Sequence, residues 1–158
     1  MTETESTLPD AEALLRPMGG PMTTPEPNRL DVSVPASQLV AAANCLVAAH
    51  WGHLAAITGL DGGAESGMFE VLYHFCAGPA VVTLRTLLPR AAPVVPSLTG
   101  LITCAGLYER ELSEMLGISI AGSSNTDPLY LPDDWPAEVY PLRKDAQLPG
   151  EISGTGAS

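Results

Sequence analysis

The sequence predicts an α+β domain, with a small sheet of about three to four strands packed against two main helices and an extended proline-rich C-terminal arm. Three observations carry that prediction. Apolar residues recur at helical spacing in "PASQLVAAANCLVAAHWG" and again in "PSLTGLITCAGLYERELSEMLG", while "MFEVLYHFC" alternates between apolar and mixed positions. Prolines crowd the two ends of the chain rather than its middle. With 158 residues there is room for one domain with a substantial core, plus tails. Because 46% of residues are hydrophobic but only 5% aromatic, that core is built mostly from Ala, Val and Leu.

Taken in order, residues 1–30 hold Pro9, Pro17, Pro21, Pro25 and Pro27 with Gly19 and Gly20, and read as a flexible segment. "AEALLR" can form a turn of helix there, which Pro17 would end. The α+β domain is expected over residues 31–122. Ser37 is placed to cap its first helix, with Leu39, Val40, Ala43, Leu46, Val47 and His50 on one stripe and Gly52 as the left-handed C-terminal cap. "HLAAITGLDG" follows as a strand ending in a Gly-rich turn. "MFEVLYHFC" places Phe69, Val71, Tyr73 and Phe75 on one face and Glu70, Leu72 and His74 on the other. Ala77-Gly78-Pro79 is short enough to join it as a hairpin to "AVVTLRTLLP". A sheet with one apolar and one mixed face suits helices covering a single side.

The second helix is expected to start at a Ser97 cap and to carry Leu98, Leu101, Ile102, Ala105, Tyr108, Leu112, Met115 and Leu116 as a continuous stripe. Gly117 closes it, with Ile118 making the accompanying apolar contact. Beyond it, residues 123–148 contain Pro128, Pro132, Pro136 and Pro141 together with Tyr130, Trp135 and Tyr140. Proline-rich segments that keep their aromatics suit an arm laid along a partner better than a disordered chain. Residues 149–158 read as a small-residue flexible tail.

The formal charge of −11 argues against a nucleic-acid partner and against direct binding to anionic lipid, since both need clustered Lys and Arg. Glu3, Glu5 and Asp10 stand where a leader peptide would carry positive charge, and the apolar run from Leu39 to Trp51 is interrupted by Asn44 and His50. The expected location is therefore cytoplasmic, with the membrane reached only through a complex. Cys45, Cys76 and Cys104 are too scattered for a metal or cluster site held by this chain alone. His50 and His53 have no carboxylate nearby in sequence to complete a metal site, and no nucleotide-binding, nucleophile-elbow or zinc-protease motif occurs.

Charge concentrates in two places. In "YERELSEMLGI" Arg110 lies between Glu109 and Glu111, with Glu114 close behind. On a helix Glu109 and Glu111 diverge by roughly 200°, so they do not form a catalytic carboxylate pair. Arg110 and Glu114, four apart, share a face and suit a helix-surface ion pair worth about 0.3–0.5 kcal/mol. The second cluster, "LPDDWPAEVYPLRKD", holds two of the seven basic residues, Arg143 and Lys144, the latter being the single lysine of the chain. Such a segment reads either as a recognition element or as an arm folded back on its own domain.

Together, "ERELSEMLGI" and "LPDDWPAEVYPLRKD", at their spacing, resemble the end of the 30-kDa subunit family of complex I, the NADH-quinone oxidoreductase. That family includes the equivalent subunit or fused domain of membrane-bound energy-converting nickel–iron hydrogenases and formate hydrogenlyases. The resemblance runs closely over Pro96 to Asp145 and more loosely back through "FEVLYHF" and "ITGLD". It implies a subunit with no catalytic residue, cofactor or metal of its own. Such a subunit docks on the large 49-kDa-like or hydrogenase large subunit, next to iron–sulfur subunits. Iron–sulfur clusters, with nickel–iron or flavin, would then belong to those partners. By resemblance Glu109, Arg110, Glu111, Glu114 and Gly117 hold the helix end and the loop after it. Leu131, Pro132, Asp133, Trp135, Pro141, Leu142, Arg143, Lys144 and Asp145 belong to the docking segment. Many respiratory members carry Gly-His-Pro-Asp and basic residues after the Gly-Ile, whereas this chain has Gly122-Ser123-Ser124-Asn125-Thr126-Asp127. That departure leans toward a hydrogenase-type complex rather than a quinone-reducing one.

Overall fold

The computed structural model describes residues 7–150. Its central sheet has five strands in the order β1-β2-β5-β4-β3: β1 (Met22–Thr23), β2 (Arg29–Ser33), β3 (His53–Asp61), β4 (Met68–Ala77) and β5 (Ala80–Pro89). The pairs β3–β4, β4–β5 and β1–β2 are antiparallel, while β2 runs parallel to β5. A parallel neighbour needs a long crossover, and here that crossover contains α2 (Leu39–Ala48) and two more strands. A separate parallel ribbon joins β6 (Val94–Pro96) to β7 (Ser119–Ala121) on either side of α3 (Ala105–Leu116).

The alternation in "MFEVLYHFC" sorts as its period requires. Phe69, Val71, Tyr73 and Phe75 are all buried, while Glu70, Leu72 and His74 are only partly covered. Val82, Leu84 and Leu88 of β5 continue the inner face, on which α2 and α3 lie. Each such buried side chain contributes about 1.5–3 kcal/mol through its removal from water. The hairpin forms at Gly78-Pro79, with Ala77 opposite Ala80. Helix α3 approaches β3 closely at Gly59, where a methyl group would meet Leu116 and would stand 2.7 Å from a Leu112 methyl carbon. The outer face of the sheet carries a charged triad in which Arg85 reaches both Asp31 and Glu70 at 2.7 Å.

The sheet is wider than the expected three to four strands, because the segment read as flexible supplies part of it. Within residues 7–30, α1 (Leu8–Leu15) buries Ala11 and Leu15 completely, and β1 adds to the sheet edge. Thr7 and Asp10 make a capping box, so the helix starts despite Pro9, which is tolerated in a first turn. Trp51 fixes this segment by donating from Nε1 to the Thr7 carbonyl at 2.9 Å. The readings for residues 1–6 and for the tail beyond Gly150 lie outside the described residues.

Both helix starts also differ from expectation. Ser37 lies in a short 3₁₀ turn, Ala36–Gln38, and makes no capping bond to α2. At the other end His50, not Gly52 alone, takes the left-handed conformation (φ 52°), and Trp51 N–H closes the turn on the Leu46 carbonyl at 2.9 Å. The second helix begins at Ala105 instead of after Ser97. Gly100 and the β-branched Thr99 and Thr103 weaken helix over residues 97–104, and the Leu98 carbonyl instead closes tight turns onto Leu101 and Ile102.

Candidate functional site

The charged signature lies on α3, and its four ionic side chains serve three sides of the helix, with Arg110 and Glu114 sharing one. Glu109 points inward and is 1% exposed. Its carboxylate accepts the Leu98 N–H at 2.6 Å and the Ser97 hydroxyl at 2.7 Å. Ser97 is therefore an anchor for a glutamate twelve residues on, not a helix cap. Since Ser97 N–H also donates to the Ala121 carbonyl, one buried carboxylate ties the entry of α3 to the strand that leaves it. The nearby Tyr73 hydroxyl is buried with no hydrogen-bond partner among the described residues. Burial first, and then the Glu109 charge, push its pKa far up, so it stays protonated.

Arg110 and Glu114 share a face but do not form the expected ion pair. Arg110 donates from Nε to the Asp127 carbonyl at 3.0 Å and from Nη2 to the Pro128 carbonyl at 2.8 Å. Glu114 accepts three successive backbone N–H groups, from Leu129 at 3.1 Å, Tyr130 at 2.9 Å and Leu131 at 3.0 Å. A guanidinium holding carbonyls beside a carboxylate holding amides is a clamp for an irregular strand, whose backbone groups need partners. Burial would raise the Glu114 pKa, but the three N–H donors, with Arg110 nearby, hold it below the usual carboxylate value. Helix geometry put the two side chains together; only the arm's path reveals what they grip.

Past α3 the arm returns to the domain at Gly117. This residue has φ 71°, and an added methyl carbon would stand 2.6 Å from the Tyr140 ring and 2.7 Å from Arg143 Nη2. Arg143 donates from Nε to the Leu116 carbonyl at 2.7 Å, which satisfies one of the orphan acceptors at the helix end. Its guanidinium covers the Tyr140 ring at 4.4 Å and the Phe69 ring at 5.2 Å. Leu142 N–H donates to the Met115 carbonyl at 3.1 Å. One turn further, Lys144 N–H donates to Asp61 Oδ2 at 2.8 Å, and Asp145 pairs with Arg90.

Asp61 and Arg90 complete this knot, and neither was marked out by the sequence. The Asp61 side chain is almost wholly buried, pairs with Arg90, and accepts Gly63 N–H at 2.8 Å. Burial would raise its pKa, but the Lys144 N–H, Arg90 and the Gly63 N–H outweigh that and lower it. The available signal was the aspartate ending "ITGLD", 83 residues from its partner, and nothing local in the sequence links the two.

Among the other docking candidates, Leu131, Trp135 and Pro141 are half-buried while Pro132 and Asp133 are exposed. Trp135 turns inward on its own loop, donating from Nε1 to the Val139 carbonyl at 2.8 Å. Arg143, Lys144 and Asp145, expected to face a partner, are thus joined to this chain's own domain. Glu111 lies away from Glu109 in a groove of about 130 Å³ with Ile57–Gly59, Leu112 and Leu142. The histidines do not converge with carboxylates: His50 and His53 line an open, mainly apolar cleft, and His74 meets Thr83 on the sheet's outer face at 3.0 Å. Among the described residues no three His, Cys, Asp or Glu side chains gather as a metal site, and no helix is long and apolar enough to cross a membrane.

Residues 32–152 match the model of the family described as respiratory-chain NADH dehydrogenase, 30 Kd subunit. The chain is 36% identical to an NADH-quinone oxidoreductase subunit of Roseiflexus sp. over 97 residues, covering 60% of this chain and 55% of that one. It is 32% identical to formate hydrogenlyase subunit 5 of Escherichia coli over 122 residues, covering 75% of this chain and 21% of the relative. The chain thus spans little more than half of the first of these relatives and a fifth of the second. In fold it matches a chain of the archaeal membrane-bound sulfane sulfur reductase with a TM-score of 0.77 at 20% identity, covering 89% of this chain and 85% of that one. The clamp of Arg110 and Glu114, the Arg143 contact that latches the arm at Gly117, and strands β3, β4 and β5 all lie within the matched span, and the chain belongs to the respiratory-chain NADH dehydrogenase 30-kDa subunit family.

Proposed function

We propose that this chain is a structural subunit, without a reaction centre of its own, in the peripheral electron-transfer arm of a membrane-bound complex I-like oxidoreductase. In that role it docks on the large 49-kDa-like or hydrogenase large subunit through the arm of residues 123–148. Iron–sulfur clusters, with nickel–iron or flavin, reside in the partner subunits, and the chain sits on the cytoplasmic side. The observation that carries this reading is how the signature charges are engaged. Glu109, Arg110, Glu114 and Arg143 each hold backbone groups of the segments around the arm. Side chains fixed in this way shape a surface, because their main hydrogen bonds are already spent on the chain's own backbone.

The hydrogenase-type assignment rests on residues 122–127. Ser123, Asn125, Thr126 and Asp127 form one wall of a cleft of about 280 Å³ beside Arg110, where many respiratory members carry a histidine and basic residues. Relatives named as hydrogenase components and as NADH-quinone oxidoreductase subunits both occur, so the quinone-reducing complex is the second reading.

Co-expression with the neighbouring genes, with an affinity tag on this chain, tests the proposal. The expected result is co-purification of a large subunit and iron–sulfur proteins, with iron found in the complex but not stoichiometrically in the isolated chain. Stoichiometric iron or zinc in the chain alone, or turnover without partners, would overturn it. Two CxxC pairs in the large subunit together with hydrogen evolution would assign the hydrogenase type. Quinone reduction beside a flavin-binding module would assign the other.

A further inference from the structure

The four ionic residues of the α3 signature are not equivalent. Glu109, Arg110 and Glu114 are each held by two or three hydrogen bonds, whereas Glu111 makes none among the described residues. Its surroundings are also different. Leu107 and Met115, one turn before and one turn after it, share its side of the helix. Leu107 is 57% exposed and Leu142, beside Met115, is 58% exposed. Glu111 is therefore the one carboxylate in an otherwise apolar, partly exposed strip.

That strip lies next to the open edge of the sheet. β3 is the last strand, and it shares the groove of Glu111, Met115 and Leu142 through Ile57, Thr58 and Gly59. An edge strand uses one set of its alternating backbone groups on its neighbour and presents the other set outward. Here the Tyr108 hydroxyl covers the Ala55 carbonyl at 2.9 Å, at a bulge between Leu54 and Ala56. Beyond that bulge, the stretch from Ala56 to Leu60 carries no Lys, no Pro and no charge to protect the edge. The bulge bounds the open edge at one end and the Asp61 knot bounds it at the other.

We propose that this groove is a strand-addition site, taken by an extended segment of the large partner subunit that presents an Arg or Lys to Glu111. The proposal rests on the functional reading above and adds a second contact surface beside the docking arm, which enters the groove at Leu142. Main-chain pairing along Ala56–Leu60 supplies length and register, Leu107, Met115 and Leu142 receive apolar side chains, and the Glu111 carboxylate selects the cation. Charge complementarity decides the occupant. A second copy of this chain would bring its own β3, which has no Lys or Arg to meet Glu111, and two chains of formal charge −11 repel each other. The sheet's outer face is a weaker candidate, because its Arg85 is already neutralised by Asp31 and Glu70.

The test uses the tagged complex, with a photo-crosslinking amino acid placed at Leu142, at Leu107 and, as control, at Val40 on α2. Crosslinks from Leu142 and Leu107 to one short segment of the large subunit that holds Arg or Lys, with none from Val40, are expected. Glu111→Lys should lower recovery of the large subunit roughly tenfold or more, and the isosteric Glu111→Gln should lower it less, since reversal adds repulsion to the lost pair. Circular dichroism of the purified chain should be the same for both variants. Crosslinks only between copies of this chain, or full recovery with Glu111→Lys, would overturn the strand-addition site while leaving the functional reading intact. Failure of the unaltered chain to recover any large subunit would overturn both.

Discussion

Gly117→Ala separates the cost of a strained backbone from the cost of dislodging the arm. At φ 71° a methyl-bearing residue is destabilised by about 1–2 kcal/mol wherever it occurs. At this position the new carbon would also stand 2.6 Å from Tyr140 and 2.7 Å from Arg143, well inside contact distance, so the arm must move. Movement breaks the 2.7 Å bond from Arg143 to the Leu116 carbonyl and the stacking of the guanidinium on Tyr140 and Phe69. A charged hydrogen bond is worth about 1.5–3 kcal/mol and each cation–π contact about 0.5–1 kcal/mol at partly exposed sites. Allowing for rehydration of the freed guanidinium, displacement adds about 2–4 kcal/mol, for a total of roughly 3–6 kcal/mol. Gly122 and Gly67 provide the control, with φ 82° and 63° and nothing within 4 Å of an added methyl carbon. Their alanine variants should lose only about 1–2 kcal/mol. Urea denaturation of the three variants and the unaltered chain measures both contributions. Should Gly117→Ala cost no more than Gly122→Ala, the arm is not anchored at the helix end and Arg143 is no latch.

The other predictions follow from the same contacts. Glu114→Gln should raise amide exchange at Leu129, Tyr130 and Leu131 by tenfold or more, relative to β4 and β5, on the scale of about 1.4 kcal/mol per tenfold. In the unaltered chain the Glu114 pKa is depressed in the folded state. Its contribution is therefore fully present above the ordinary glutamate value of 4.5 and is lost as pH falls through the lower folded value; the glutamine variant should lack that acid transition in exchange at 129–131. Asp61→Ala leaves the half-buried Arg90 with Asp145 alone and frees the Lys144 N–H, and should cost about 3–5 kcal/mol by urea denaturation. Arg143→Ala should lower the melting temperature of the isolated chain, because its guanidinium is bound to α3. Trp135→Ala should change it little, because that ring bonds only within its own loop.

What could be read from the sequence divides along one physical line. Patterns repeated within an element were legible: the alternation that buries Phe69, Val71, Tyr73 and Phe75, the turn at Gly78-Pro79, and the left-handed Gly117. Their signal is local, because side-chain period and backbone conformation are set by neighbours in the chain. Residues 7–30 were misjudged because five prolines outweighed "AEALLR" in composition, yet the two buried side chains Ala11 and Leu15 are enough to seat α1 on the core. Local propensity is a weak prior wherever tertiary packing supplies the driving force.

The candidate site shows the same division more sharply. Spacing alone put Arg110 and Glu114 on one face, and spacing alone suggested that they pair with each other. They part because the arm crosses that face with carbonyls toward the arginine and amides toward the glutamate. A surface ion pair worth a few tenths of a kcal/mol, roughly, gives way to five charge-assisted bonds to otherwise unpaired backbone. The partner groups are 15 to 18 residues away, and backbone groups have no sequence signature at all. Glu111 is left over from that competition. Arg110 and Glu114 hold the arm and Glu109 holds the entry of α3, so the fourth charge carries no fold-holding duty among the described residues. Its position beside an unprotected strand edge therefore bears on assembly, and the contrast between Glu111→Lys and Glu114→Gln separates the two roles. The first should disturb the complex and spare the chain, whereas the second should loosen the chain's own arm before any partner is added.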